Sequence, residues 1–379
     1  MKFGVFANLN GPGRHEEFDQ VLDEARELAV YCDQNGYDSI WYTEHHFGHE
    51  GNELIANPIL IGADIAARTK NIRIGQAANV VTFWHPLRLA EDIAMLDQLS
   101  KGRVEVGVAR GLYGREAMNL NTAADPSNQK QNRALFEETV EILKKALSNR
   151  FFSHEGEFYK FPPEGLKWQH PMSPPSEEFM DMEKGEINKI SIMPPPYQKP
   201  YPRFWQTIDS ETSIIKAAKE GTNAIFWMPP VKELKKRFEL YREHASEAQG
   251  REVPLGEGIA VVRDLYVAET MEQAREDAAE AVLKNYRWIC HWRGLGNLMN
   301  PGEELKPDQE LNYEFLHPRN LLFGTPEYVT EKIRELKEEL NLQKLLLWVD
   351  HNGLSHEKKM RSLKLFTEEV MPNFTTVRV

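Results

Sequence analysis

Cysteine is nearly absent from this chain. Its 379 residues hold two, Cys32 and Cys290, too far apart to suggest a zinc spacing or a redox dithiol and too few for a disulfide framework. Cys32 falls in an amphipathic helical pattern, where a buried thiol is the ordinary role. No apolar run approaches the ~20 residues that span a bilayer, and Met1-Lys2-Phe3-Gly4-Val5-Phe6 reads as a strand rather than a signal peptide, so a cytoplasmic location is expected. Positive charge is in deficit. The 46 Lys and Arg against 58 Asp and Glu leave a net charge of −12, which weighs against nucleic acid and a basic membrane-surface role. A local phosphate site stays open. A dinucleotide fingerprint is also lacking: Asn10-Gly11-Pro12-Gly13 follows the first strand pattern, but the proline and the missing later glycines spoil the match.

What is present is an alternation of strand and helix patterns. Strands are predicted at 2–9, 39–43, 72–81, 104–109, 203–208, 223–228, 258–268 and 345–349. Helices fall between them, with Asn35-Gly36 as a stop and Pro58 and Pro86 as first-turn residues. Eight mostly apolar strands separated by helices predict an α/β fold, the TIM (β/α)8 barrel, in preference to an open doubly wound sheet. The reading is one domain over 1–379 with irregular insertions after strands four and seven, near 150–202 and 285–323. The first insertion is rich in proline, including Pro194-Pro195-Pro196.

Barrel chemistry is expected at the C-terminal strand ends. The second strand ends in Glu44-His45-His46-Phe47. Adjacent residues point to opposite faces, which argues against a shared metal and leaves one histidine free to act as an acid/base. The fourth ends in Arg110-Gly111-Leu112-Tyr113, with Arg133 in the next helix; both arginines suit phosphate, or equally a surface ion pair. The fifth ends in Asp209-Ser210-Glu211-Thr212-Ser213, a turn that either binds phosphate at a helix N-terminus or simply caps the helix. Phe6, Trp41, Phe83, Trp84, Trp227 and Trp348 could wall an apolar pocket, although core packing is the ordinary role of Trp41 and Trp348.

These residues resemble bacterial luciferase and the wider flavin-dependent luciferase-like oxidoreductases. The match is densest over 37–115: Glu44-His45-His46-Phe47, His85-Pro86, Glu91-Asp92, Leu96 through Arg103, and Arg110-Gly111-Leu112-Tyr113 occur in order and spacing. Asn132-Arg133-Ala134-Leu135, Asp209-Ser210 with Ser213, and Met360 through Pro372 extend it more weakly.

The resemblance implies a two-component monooxygenase. Reduced FMN, supplied by a separate NAD(P)H flavin reductase, would react with O2 through a C4a-peroxyflavin to oxidise a small apolar substrate, aldehyde-like by analogy. Arg110, Arg133, Ser210 and Ser213 would bind the flavin phosphate, and Asp209 would touch the flavin by its backbone. Leu112 would lie on the ring, Ala77-Ala78 would form a non-prolyl cis peptide beneath it, and His45 would be the acid/base. No metal is implied. A homodimer is expected, with the helices after strands two and three as interface. In one departure, Ala109 stands where the luciferase catalytic subunit has a reactive cysteine, which puts light emission in doubt. The competing readings are an F420-dependent hydride-transfer oxidoreductase and a non-catalytic flavin-binding subunit.

Overall fold

A computed structural model describes residues 1–11, 13–306 and 308–375, so Pro12 of the first turn and Pro307 of the second insertion lie outside the described residues. In chain order, β1 (Lys2–Ala7), α1 (Phe18–Gln34), β2 (Ser39–Tyr42), α2 (Pro58–Arg68) and β3 (Arg73–Gln76) come first. Next are β4 (Asn79–Val80), α3 (Pro86–Leu99), β5 (Val104–Ala109), α4 (Gly114–Leu120) and α5 (Gln129–Ser148). Four two-residue strands follow: β6 (His154–Glu155), β7 (Lys160–Phe161), β8 (Met180–Asp181) and β9 (Glu186–Ile187). The chain continues through β10 (Arg203–Thr207), α6 (Glu211–Lys219), β11 (Asn223–Phe226), α7 (Val231–Gln249), β12 (Ile259–Val267) and α8 (Met271–Arg293). It ends with α9 (Tyr313–Asn320), β13 (Leu321–Gly324), α10 (Pro326–Leu340), β14 (Lys344–Trp348) and α11 (His356–Leu365). By packing these elements divide into two compact units, one of 1–78 with 204 onwards and one of 79–203.

In the first unit the strands run parallel in the order β10-β11-β12-β14-β1-β2-β3, with β13 alongside β12. Every residue of β2, β12 and β14 is buried, the mark of parallel strands covered on both faces. The register stacks large against small. Trp41 pairs with Phe6 on one side and Gly75 on the other, and a Cβ at Gly75 would stand 2.2 Å from the indole. Trp41 meets Trp205 edge-on at 5.5 Å and donates its indole N–H to Ser39 Oγ at 2.8 Å. α1 turns Val21, Ala25, Leu28, Ala29 and Cys32 inward at helical spacing, and burial pushes the Cys32 thiol well above its ordinary pKa.

The second unit pairs β4 with β5 and holds α3, α4, α5 and the proline-rich insertion. Three differences from the predicted elements have physical causes. The continuous strand predicted over 72–81 is two strands, β3 and β4, with the cis Ala77–Ala78 peptide between them. The insertion near 150–202 is not wholly irregular, because β6–β7 and β8–β9 form two small antiparallel pairs. In the insertion near 285–323, α8 runs on to Arg293 because Tyr286 and Ile289 continue its buried stripe, and α9 and β13 fill much of the rest.

Glu138 on α5 anchors the first insertion. Its carboxylate accepts from the backbone N–H groups of Glu157, Phe158 and Tyr159 at 2.8–3.2 Å and lies 3.1 Å from His154 Nε2. Burial raises its pKa, but the amides and His154 outweigh that and hold the carboxyl below its ordinary value. A lowered folded pKa adds stability that is complete above the ordinary carboxylate range and disappears as pH falls through the lowered value. Glu138→Gln is therefore expected to cost about 1–3 kcal/mol at pH 7. The deficit should shrink toward pH 3.5 in thermal melts; equal melting temperatures at pH 7 would show that the anchor is not stabilising.

Candidate active site

Apart from Arg133 in α5 and Ser213 in α6, the polar residues singled out in the sequence sit just beyond strand ends, where the hydrogen-bonded ladder stops and side chains become available. In the first unit, His45 follows β2. Its Nε2 lies 3.2 Å from Glu53 Oε1, and its backbone N–H donates to the Ile55 carbonyl at 2.8 Å. His46 faces another carboxylate, with Nε2 2.9 Å from Oε1 of the buried Glu44. The two imidazoles thus meet different carboxylates. Among the described residues, no group of three or more His, Cys, Asp and Glu side chains could hold a metal.

Ala77 and Ala78 follow β3 directly. The peptide between them is cis, and the Ala77 N–H donates to the Tyr42 carbonyl at 2.8 Å. Ala77 packs in a buried cluster with Phe6, Trp41, Trp205 and Trp348. Trp348 lies 4.8 Å from Phe6 and 4.7 Å from Trp227, ring centre to ring centre.

After β10, Ser210 caps α6: its Oγ accepts from the Ser213 N–H at 3.3 Å and bonds Ser213 Oγ at 2.9 Å. The capping role foreseen for this turn is thus realised, while Ser210 remains exposed. Asp209 is bound by Arg293 at 2.5 Å and faced by Arg237 at 3.6 Å. Neither partnership was legible in the sequence, since Arg293 lies in the second insertion and Arg237 inside a helix.

In the second unit, Arg110 at the end of β5 is half-buried and donates to the amide oxygens of Gln129 at 3.1 Å and Asn132 at 3.4 Å. Asn132 returns a bond to the Arg110 carbonyl at 3.0 Å, fixing the turn to α5. Burial, then the neighbouring Arg133, lower the Arg110 pKa. Gly111 has φ +85°, and a Cβ there would stand 3.0 Å from the Phe83 ring, so the turn needs glycine. Leu112, next in line, is half-buried. Arg110 thus lies near both Arg133 and the Glu137 carboxylate, with amides as its hydrogen-bonding support, an arrangement that could hold an anion.

One network went unforeseen. Asp264 in β12 is fully buried, with Oδ2 accepting from Tyr286 Oη at 2.8 Å and from the Trp227 indole at 3.4 Å, and Oδ1 3.6 Å from His351 Nδ1. Burial raises the Asp264 pKa and lowers that of His351, so both are pushed toward neutrality. The available signal was the charged pair Arg263-Asp264 within an otherwise apolar strand.

Against known proteins, the architecture is shared by solved structures. A monooxygenase from Streptomyces bottropensis superposes with TM-score 0.79 at 26% identity, covering 99% of this chain and 100% of that one. The fold is the TIM (β/α)8 barrel expected from the sequence. The oxygenating constituent of 3,6-diketocamphane monooxygenase from Pseudomonas putida, solved in complex with FMN, matches with TM-score 0.79, 26% identity and 99% coverage of both chains. The oxygenase component of a flavin-dependent trigonelline monooxygenase from Acinetobacter baylyi is 29% identical, over 100% of this chain and 97% of its own length. The family model for luciferase-like monooxygenases matches residues 1–343, and the chain belongs to that family.

Asp264 offers a direct test of the buried network. A carboxyl whose folded pKa is raised costs the fold stability as pH climbs from the ordinary carboxylate value toward the raised one, and the loss is constant above it. Asp264→Asn keeps an acceptor for Tyr286 without the charge. Its melting temperature relative to the parent should rise as pH climbs above the ordinary carboxylate range and level off once the folded Asp264 has ionised. A difference independent of pH would mean that Asp264 is not held toward neutrality.

Proposed function

We propose that the protein is the oxygenase component of a two-component flavin-dependent monooxygenase. It takes reduced FMN from a separate NAD(P)H flavin reductase and uses O2 to oxidise a small, largely apolar organic substrate, aldehyde-like by analogy. The observation that carries this reading is Arg110: a half-buried guanidinium at a strand end, supported by Gln129 and Asn132, in a chain of the luciferase-like monooxygenase family. The trigonelline and diketocamphane relatives, one named flavin-dependent and the other bound to FMN, support the choice of cofactor. A cytoplasmic homodimer belongs to the same proposal.

When bound, reduced FMN would supply the electrons and the ring chemistry that activate dioxygen. This chain's residues hold and orient it. Arg110 and Arg133 provide charge-assisted bonds to the phosphate, joined by the Ser210 and Ser213 hydroxyls and the first turn of α6. Asp209 and Leu112 contribute backbone groups, and Ala77 and Ala78 contact the ring. His45 is the acid/base. Glu53 accepts from Nε2, which favours the tautomer with its proton there and leaves Nδ1 basic. The aromatic side chains Phe6, Trp227 and Trp348 fit an apolar substrate and keep water away.

Losing one charge-assisted contact costs about 1.5–3 kcal/mol, so Arg110→Ala should weaken reduced-FMN binding by about 10- to 100-fold in anaerobic titration. His45→Ala should leave that affinity within about twofold while sharply lowering substrate oxidation in air with a flavin reductase present. Unchanged turnover would remove His45 from its role. Preferential binding of F420, with hydride transfer and no oxygen incorporated from 18O2, would overturn the flavin reading.

A further inference from the structure

A cavity of about 120 Å³ opens in the first unit beside the start of α7, away from every residue assigned above. At about 30 Å³ per liquid water, it has room for one compact group and not for a nucleotide. Its lining includes four cations, Lys232, Arg263, Arg319 and Lys332, against one carboxylate, Glu335. Lys332 is paired with Glu335 at 3.0 Å, and Arg319 is paired with Glu303. Lys232 and Arg263 make no ion pair among the described residues, so two positive charges remain.

Arg263 is the second and stronger observation. It is 2% exposed, and it donates only to two carbonyls, Val262 at 3.1 Å and Pro229 at 2.6 Å. A guanidinium has five N–H donors and cannot escape its charge by losing a proton at neutral pH. Three of its donors therefore have no acceptor among the described residues. Burial lowers its pKa to about 10, against a smaller opposing influence of Tyr286 and Asp264. Arg319 adds a buried Nε without a partner on the same wall. At the mouth, α7 begins after Pro230 without a side-chain cap, and Pro230, Val231 and Lys232 of its first turn line the cavity.

We propose that this cavity is an oxyanion site for a phosphate dianion, either inorganic phosphate or the terminal phosphate of a small monoester whose remainder lies outside. Two uncompensated cations match two negative charges, and Arg263 supplies the fork of donors that phosphate oxygens accept. The site is independent of the flavin reading, whose phosphate contacts lie elsewhere.

The test uses full-length protein carrying Arg110→Ala and Arg133→Ala, so that phosphate binding at a flavin site does not contribute. At pH 7.5 and constant ionic strength, inorganic phosphate should raise the melting temperature and give a calorimetric isotherm, while chloride and acetate should not. Lys232→Glu, an exposed change at the mouth, should weaken phosphate binding at least tenfold, and Arg263→Met should abolish it. Tighter binding of glycerol 3-phosphate than of phosphate would identify a monoester occupant, and the reverse order would identify free phosphate. No phosphate-specific stabilisation, an equal response to acetate, or an unchanged affinity in Lys232→Glu would each overturn the proposal. Because Lys232 is exposed, this last variant stays informative even if Arg263→Met fails to fold.

Discussion

All nine residues of β12 are buried, and two consecutive ones carry charge. A strand flanked by parallel neighbours with both faces covered has no exposed side on which to place them. Period-two alternation sends Arg263 and Asp264 to opposite faces, and each must find compensation where it lands. Asp264 meets Tyr286, Trp227 and His351, and it can also retreat toward its neutral form. Arg263 has no such exit. It is left with two carbonyls and a cavity, so the same strand produces a nearly neutral polar network on one face and a persistent cation on the other.

Most of the fold was legible because the dominant signal is local. Strands covered on both faces read as short apolar runs, and helices announced their ends through Pro58, Pro86 and the Ser210 cap. The misses are of another kind. The cis peptide at Ala77–Ala78 is the one the family resemblance implied, but the strand predicted over 72–81 was not divided there, although the polar Gln76 and Asn79 flank it. α4 is short and leaves Met118 and Leu120 exposed, so it lacks the apolar stripe by which helices are recognised. The extension of α8 was hidden by the aromatic and glycine content of the segment that follows it.

The site residues divide along the same line. The candidates at strand ends could be named because polar residues interrupt apolar runs there. Their partners could not. Glu53 reaches His45 from a loop, Arg293 reaches Asp209 from 84 residues away, and His351 approaches Asp264 from the end of another strand. Such pairings arise from chain topology, and one sequence contains no term for it. The same limit applies to Gln129 and Asn132, whose amides support Arg110 without offering a counter-charge.

That choice of support decides what each strand end can bind. In a chain of net charge −12, carboxylates are abundant, and most surface arginines find one. Arg110 instead donates its hydrogen bonds to two neutral amides, with the Glu137 carboxylate acting on it only through its charge, and Asn132 ties the same turn back through the Arg110 carbonyl. The turn is held tightly enough that Gly111 has no room for a side chain against Phe83. At the end of β10 the arrangement is reversed. Asp209 already engages Arg293, so what this turn presents is the hydroxyls of Ser210 and Ser213 and the first turn of α6. The two strand ends therefore offer different contributions, full charge at Arg110 and oriented dipoles at Ser210.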